Sequence, residues 1–396
     1  MDCKRKFNGQ SNPTLGGEMQ MEYFRMPTKL CMGEGSLKEL EKIEAKKVFI
    51  ICDPFMKSSG KVNLVSGILG MREIPYQIFD KVIPDPTLEV VSLAVKMVDE
   101  DTDTIIALGG GSAIDTAKVV RKIFEAAIEK KVQFIAIPTT SGTGSELTSF
   151  AVVSDKETKS KIPLIDFSLL PDIAILDCVF TASVPASITA DTGIDVLTHA
   201  LEAVASNKAT DFTDANAYMA VELVFQYLKR AVEHGDDLCA REHMHNASAL
   251  AGIAFNEASL GICHSMAHSL GGFFHIPHGR ANAILLPHVM EFNTIQSQNK
   301  ETIQRYARLS RRMGFGNYDD ISSVKSLIRQ VQNLIKSVGI DSYINGMVDG
   351  EEYSKSIEKM AKLAVDDRCT LTNPVEVQVK DLEAIYAKLQ RSCPWM

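Results

Sequence analysis

ALGGGSAIDTAK, Ala107 to Lys118, carries an apolar run into Gly109, Gly110 and Gly111 and then directly into a helical pattern opened by Ser112, with Asp115 in its first turn. Backbone amides of a glycine-rich turn and the free N–H groups of a helix start make a cradle for a pyrophosphate. A plain tight turn reads the same way on its own. The glycines follow the third strand-like run rather than the first, so this is not the usual dinucleotide fingerprint.

Outward from this stretch the chain alternates two periods. Lys47 to Asp53, Tyr76 to Val82, Asp103 to Leu108, Val132 to Ile137 and Ile173 to Asp177 are short strand-like runs. Between them lie helix-like stretches, including Ser36 to Ala45, Thr87 to Glu100 and Ser112 to Lys130. Such alternation predicts β-α-β units in a doubly wound parallel sheet, with ligands beyond the carboxyl ends of the strands. After Pro185 the strand signal stops and helices follow, among them Asp211 to Glu233 with an acidic start and a basic close. The expected organisation is an extension over residues 1–20, an α/β domain over 21–187 and an all-helical domain over 188–396.

Composition narrows the function classes. The 396 residues carry 42 Lys+Arg against 50 Asp+Glu, a net charge of −8, with 45% apolar and 23% charged residues. That is a globular composition. The acidic balance argues against a broad nucleic-acid surface, and no apolar run approaches the roughly 18 residues of a membrane span. Eight cysteines without a C-x-x-C pair predict reduced thiols in a cytoplasmic protein. The first twenty residues lack a secretory apolar core and read as a flexible tail.

A second polar turn, IPTTSGTGSE, sits at the end of the next strand-like run. Thr139, Thr140, Ser141, Thr143 and Ser145 supply hydroxyls, while Gly142 and Gly144 permit close approach of a ligand. Two such turns at consecutive strand ends favour one shared ligand. Asp53, closing the first strand-like run, suits an adenosine ribose and would repel a 2′-phosphate, pointing to NAD over NADP. A helix-capping aspartate would look identical.

Histidines make the strongest pattern. Five of the nine fall between residues 264 and 288, in CHSMAHSLGGFFHIPHGRANAILLPH. His264 and His268 are four apart, His278 follows Pro277, and upstream Asp195 and His199 in GIDVLTHALEA are also four apart. Asp195, His199, His264 and His278 form a three-nitrogen, one-oxygen set suited to a divalent transition metal with an open position for substrate.

With GGGSAIDTAK, IPTTSGTGSE, PDIAILD, ITADTGIDVLTHALEA, HSMAHSLGGFFHIPHG and DDRCTLTNP together, residues 22–391 resemble the iron-containing (group III) alcohol dehydrogenase family. The resemblance implies a dehydroquinate synthase-like fold, NAD(H), and Fe²⁺ in the cleft between the domains, although the donor set would bind Zn²⁺ more tightly by the usual affinity order. It places the metal on Asp195, His199, His264 and His278, and a further histidine near the nicotinamide on His268. Cofactor contacts fall on Asp53, Gly110, Gly111, Ser112, Asp115, Thr139, Thr140, Ser141, Thr143, Ser145 and Lys161. Phe150, Phe255, Leu260 and Cys369 fall on the substrate wall.

Within the family, ATDFTDANA, LVFQYL and MHNAS look most similar to 1-propanol dehydrogenases associated with bacterial microcompartments. The resemblance therefore implies short-chain primary alcohols and aldehydes, a homodimer or higher assembly, and a cytoplasmic or microcompartment setting. Lactaldehyde reductase and butanol, 1,3-propanediol and 4-hydroxybutyrate dehydrogenases are the alternatives inside the family. Glycerol dehydrogenase and dehydroquinate synthase share the fold but use other metal ligands, and a non-enzymatic microcompartment partner would need neither complete set of residues.

Overall fold

The computed structural model describes residues 24–155 and 160–390, so the tail expected at residues 1–20, with Cys3 and Cys393, lies outside the described residues. Six strands form one sheet: β1 (Lys29–Met32), β2 (Val48–Cys52), β3 (Tyr76–Phe79), β4 (Thr104–Gly109), β5 (Gln133–Pro138) and β8 (Ile173–Leu176), in the order β1-β8-β5-β4-β2-β3. Every pairing is parallel. Strands buried on both faces read as continuous apolar runs, and here successive residues divide between two cores. Phe49, Ile51, Ile105, Ala107, Phe134 and Ala136 pack on one face. Val48, Ile50, Ile106, Leu108, Ile135 and Ile175 pack on the other.

This order explains the unusual place of the glycine turn. From β2 the chain steps to β3 on one side of the sheet, then returns to β4 on the other. The strand order thus reverses between β2 and β4, where doubly wound sheets open a ligand crevice. Asp53 ends the first of these strands and Gly109 to Gly111 the second.

The structure departs in four places from the strand and helix pattern expected of the sequence. β1 adds an edge strand by pairing with β8, Lys29 opposite Ile173. β6 (Phe150–Asp155) and β7 (Ser160–Ile165) make an antiparallel hairpin. The helix expected over Ser36–Ala45 is only a short 3₁₀ turn, Ser36–Glu41, entered through Gly35 at φ 77°. The expected Thr87–Glu100 helix contracts to α3 (Leu88–Val95), after α1 (Pro54–Ser58) and α2 (Val62–Met71).

α4 (Gly111–Ile128) follows the glycine turn. From Ala186 onward the named elements are helical: α5 (Ala186–Ala205), α6 (Asp211–Glu233), α7 (Leu238–Ala258), α8 (Ile262–Phe274), α9 (His278–Glu291), α10 (Lys300–Arg312), α11 (Asp320–Ser337), α12 (Gly350–Asp366) and α13 (Val379–Ala387). Their apolar faces share one core. Ala249 and Ile253 of α7 join the sheet side through Leu147, Ala174 and Leu176.

Candidate active site

α5 presents Asp195 and His199 one turn apart, both buried. α8 enters through Gly261 and brings His264, also buried, to the same place. Ligand atoms of Asp195, His199 and His264 lie within 4.8 Å of one another. His278 opens α9, where a Cβ on neighbouring Gly279 would stand 2.1 Å from Asp191 O. That close crossing of α9 over α5 sets His278 Nε2 at 3.6 Å from Asp195 Oδ1, with the side chain still 41% exposed. Three donors are thus enclosed, and the fourth borders the open side.

Hydrogen bonds reveal what the cluster is shaped for. Asn282 Nδ2 lies 2.7 Å from Asp195 Oδ1, 3.2 Å from His278 Nε2 and 3.3 Å from His264 Nε2. An amide carries two protons, so three acceptors contend for them. His199 Nδ1 is buried without a partner. Convergent lone pairs with too few protons are the arrangement a cation satisfies.

The charges agree with this. Burial pushes Asp195 upward, but His199, His278 and His264 outweigh it and hold the carboxyl below its usual range. Burial, with the neighbouring imidazoles, drives His264 well below the ordinary value. His278 is pushed down to about 4 by the same desolvation, against the pull of Asp195. With His264 and His278 driven low and the Asp195 carboxyl held low, these three side chains can offer lone pairs to a cation.

Two carboxylates that sequence reasoning missed hold the imidazoles. Glu202 Oε2 lies 2.5 Å from His264 Nδ1, and its Oε1 accepts from Cys263 N at 2.7 Å. Such a carboxylate fixes the ring and leaves Nε2 to the metal. Glu202 itself is pushed up to about 7 by burial. Asp367 Oδ2 lies 2.9 Å from His268 Nδ1. Burial raises Asp367, yet the hydrogen bond and charge of His268 bring it down to about 2. The rings of His268 and His278 stack with centroids 5.3 Å apart. Both leave a trace in the sequence, Glu202 inside ITADTGIDVLTHALEA, seven residues after Asp195 on the same face of α5, and Asp367 inside DDRCTLTNP, but neither motif identifies a support for an imidazole.

At the reversal of strand order lies a cleft of about 430 Å³ lined by Asp53, Gly110, Gly111, Ser112, Thr139 and Thr140, among others. A Cβ on Gly111 would stand 2.8 Å from Thr143 Cγ2, so the two turns are packed together and Gly111 must stay bare. Asp53 does cap a helix, Oδ1 accepting from Met56 N at 3.0 Å, while it also lines the cleft. Ser141 Oγ lies 3.0 Å from Nδ1 of His245, a buried α7 imidazole pushed down to about 4 by desolvation.

Asp115 and Ser145 sit differently. Ser145 Oγ donates to Asp115 Oδ1 at 2.6 Å, and Asp115 Oδ2 accepts from Val152 N at 3.0 Å. Lys118, fully buried, donates to Ser145 Oγ at 2.9 Å, Thr148 O at 2.8 Å and Phe150 O at 2.5 Å. Burial pushes its ammonium down to about 8 and the adjacent Glu146 up to about 7. These side chains tie α4 to the second turn and to β6 from within. Lys161 forms an exposed pair with Asp85 at 2.7 Å.

A chain of rings leads from the β-hairpin to the metal-ligand candidates: Phe150 tilts against Phe255 at 6.4 Å, Phe255 stacks on His199 at 4.5 Å, and His199 stacks on His264 at 4.6 Å. Leu260 is half-buried and its carbonyl accepts from Thr372. Cys369 is half-buried, and its thiol is raised well above its usual range by burial.

Comparison with known proteins settles the family. The model described as "Iron-containing alcohol dehydrogenase" matches residues 27–178, and that described as "Fe-containing alcohol dehydrogenase family, C-terminal" matches 189–390. The chain belongs to the iron-containing alcohol dehydrogenase family. A 1-propanol dehydrogenase PduQ of Citrobacter freundii is 43% identical over 377 residues, 93% of this chain and 99% of the relative. Among solved structures, an alcohol dehydrogenase from Oenococcus oeni superposes with TM-score 0.86 at 31% identity, covering 93% of this chain and all of that one. Sulfoacetaldehyde reductase from Bifidobacterium kashiwanohense, solved with NAD⁺, gives TM-score 0.83 at 26% identity, covering 93% of this chain and 99% of that one.

The chain is therefore an oxidoreductase of an iron-containing family, and the solved reductase that it resembles binds NAD⁺. Its residues fit both groups. Convergent Asp195, His264 and His278, with the orphaned His199 Nδ1, suit the metal, and the bare Gly110 and Gly111 suit a pyrophosphate.

Proposed function

We propose that this alcohol dehydrogenase interconverts short, unbranched primary alcohols and aldehydes, with propanal/1-propanol and acetaldehyde/ethanol as the favoured pairs. Asp195, His199, His264 and His278 hold the iron. Asp53, Gly110, Gly111, Ser112, Thr139, Thr140, Ser141 and Thr143 face NAD(H), while Asp115 and Ser145 shape that cradle from inside and Lys161 stands on the neighbouring hairpin. When bound, iron supplies Lewis-acid polarisation of the carbonyl and the nicotinamide supplies or accepts hydride.

The protein does the rest. Asp367 fixes the His268 ring through Nδ1, so that Nε2 exchanges the proton gained or lost by the substrate oxygen. Phe150, Phe255, Leu260 and Cys369 line the path of the substrate chain. The observation that carries this reading is the chain of rings. Phe255 lies 4.5 Å from the metal-ligand candidate His199, so a substrate reacting at the cluster meets apolar bulk at once. Such a wall accepts a short alkyl chain and leaves the hydroxyls of a polyol unpaired.

Similarity to the Citrobacter freundii 1-propanol dehydrogenase supports the same substrate class. On the family resemblance the enzyme works as a homodimer or higher oligomer, in the cytoplasm or inside a bacterial microcompartment. Among the described residues no helix is long and apolar enough to cross a membrane. NADH oxidation should be measured with acetaldehyde, propanal, butanal and lactaldehyde. The first two should give the highest kcat/KM, and a clear preference for lactaldehyde would overturn the assignment.

A further inference from the structure

Beside the four proposed iron ligands stands a second group of mixed donors. His268 lies one turn beyond His264 on α8, while Asp367 and Cys369 follow α12. One nitrogen of His268, one carboxylate oxygen of Asp367 and the sulfur of Cys369 lie within 4.8 Å of one another. Donors around a tetrahedral zinc ion stand roughly 3.5 Å apart. A contraction of about 1 Å, within reach of partly exposed side chains, closes the triangle.

The carboxylate is already held for such a role. Asp367 Oδ1 accepts from Cys369 N at 2.8 Å and from Ser265 Oγ at 3.2 Å, which fixes its orientation independently of the other two donors. Two protons now occupy the middle of the group. One lies between His268 Nδ1 and Asp367 Oδ2, 2.9 Å apart, and the other is on the Cys369 thiol. A divalent ion can replace both, because it accepts at once the lone pairs those protons hold.

We propose that His268, Asp367 and Cys369 form a second cation site, selective for a thiophilic divalent ion such as Zn²⁺ or Cd²⁺, whose occupation arrests turnover. On binding, the Cys369 thiol releases its proton to solvent and the thiolate bonds the ion. His268 binds through Nδ1 with its proton on Nε2, Asp367 binds through Oδ2, and water completes the coordination; no electrons transfer. The sulfur sets the selectivity, since hard ions such as Mg²⁺ favour oxygen. The ring is then locked as a neutral, only weakly acidic Nε2–H that neither accepts a proton from an alcohol nor readily gives one up to an aldehyde. Arrest rests on the role proposed above for His268, whereas binding does not.

The test uses anaerobic, iron-loaded enzyme titrated with Cd²⁺, following iron and cadmium per chain, the thiolate-to-cadmium absorption band in the ultraviolet, and turnover. Expected are one further equivalent of cadmium, a band that grows with it, retained iron and a parallel loss of activity. In Cys369→Ser the band should vanish, and the Cd²⁺ needed for half-inhibition, relative to that variant's own rate, should rise at least tenfold. Asp367→Asn should shift it in the same direction. Cadmium uptake matched by iron loss, or a Cys369→Ser enzyme with unchanged band and sensitivity, overturns the second site. Uptake and band with turnover intact overturn the arrest, and with it the role of His268.

Discussion

Asp195 is held below the usual carboxylate range by the imidazoles around it and by the Asn282 amide that donates to it, and His264 keeps its orientation because Glu202 grips the far side of its ring. Removing a donor and removing a support should therefore differ. Asp195→Ala and His278→Ala should lose both metal and turnover, measured by metal analysis and NADH oxidation. Glu202→Gln should bind metal roughly 10- to 100-fold more weakly while keeping its fold. His268→Ala should retain metal and lose rate; loss of metal there would make His268 a ligand. Spacing alone could not separate His264 from His268, since both lie on one helical face. What divides them in space is their carboxylate: Glu202, from α5, for one and Asp367, after α12, for the other. Contacts between residues 62 or 99 positions apart leave no local pattern.

α4 and the two turns it braces form the proposed cofactor side, and a buried ionic group supports them in addition to the apolar packing of Ile114, Val120 and Phe124. Glu146 has one carboxyl oxygen buried without a partner, and its folded pKa of about 7 exceeds the ordinary 4.5. The folded state therefore holds a proton that the unfolded chain has released between those values. Its contribution is most favourable below pH 4.5, falls as pH rises to 7, and stays unfavourable above. Glu146→Gln should melt near wild type at pH 5 and higher than wild type at pH 8, by up to roughly 3 kcal/mol; equal melting curves at pH 8 would contradict the burial argument. On the hairpin and α7, Phe150→Ala or Phe255→Ala should move the kcat/KM optimum toward longer aldehydes, and an unchanged chain-length profile would remove those rings from the wall.

Legibility at this scale followed burial. Strands buried on both faces, β2, β4 and β5, announce themselves as apolar runs, and the glycine turn shows its cradle directly. β1 is short and lies at the sheet edge, while in the hairpin β6 offers only the short apolar run Phe150 to Val153 and Pro163 interrupts β7, so neither stands out from a loop. Ser145 and Asp115 sit in the right motif for a cofactor, but only the fold shows their polar atoms turned toward Lys118 and Val152.

At the scale of the whole molecule the metal is also a fastener. Its proposed ligands come from α5, α8 and α9, and the chain of rings carries the contact across to β6. A ligand held at about 100 times its Kd stabilises the folded state by about 2.7 kcal/mol. Chelation should accordingly lower the melting temperature of wild type and leave that of Asp195→Ala unmoved. The most direct test of the account joins metal analysis to turnover in anaerobically purified protein. Stoichiometric iron with propanal-dependent NADH oxidation in wild type, and neither in Asp195→Ala, is the predicted result. Full turnover in a metal-free Asp195→Ala enzyme would contradict it.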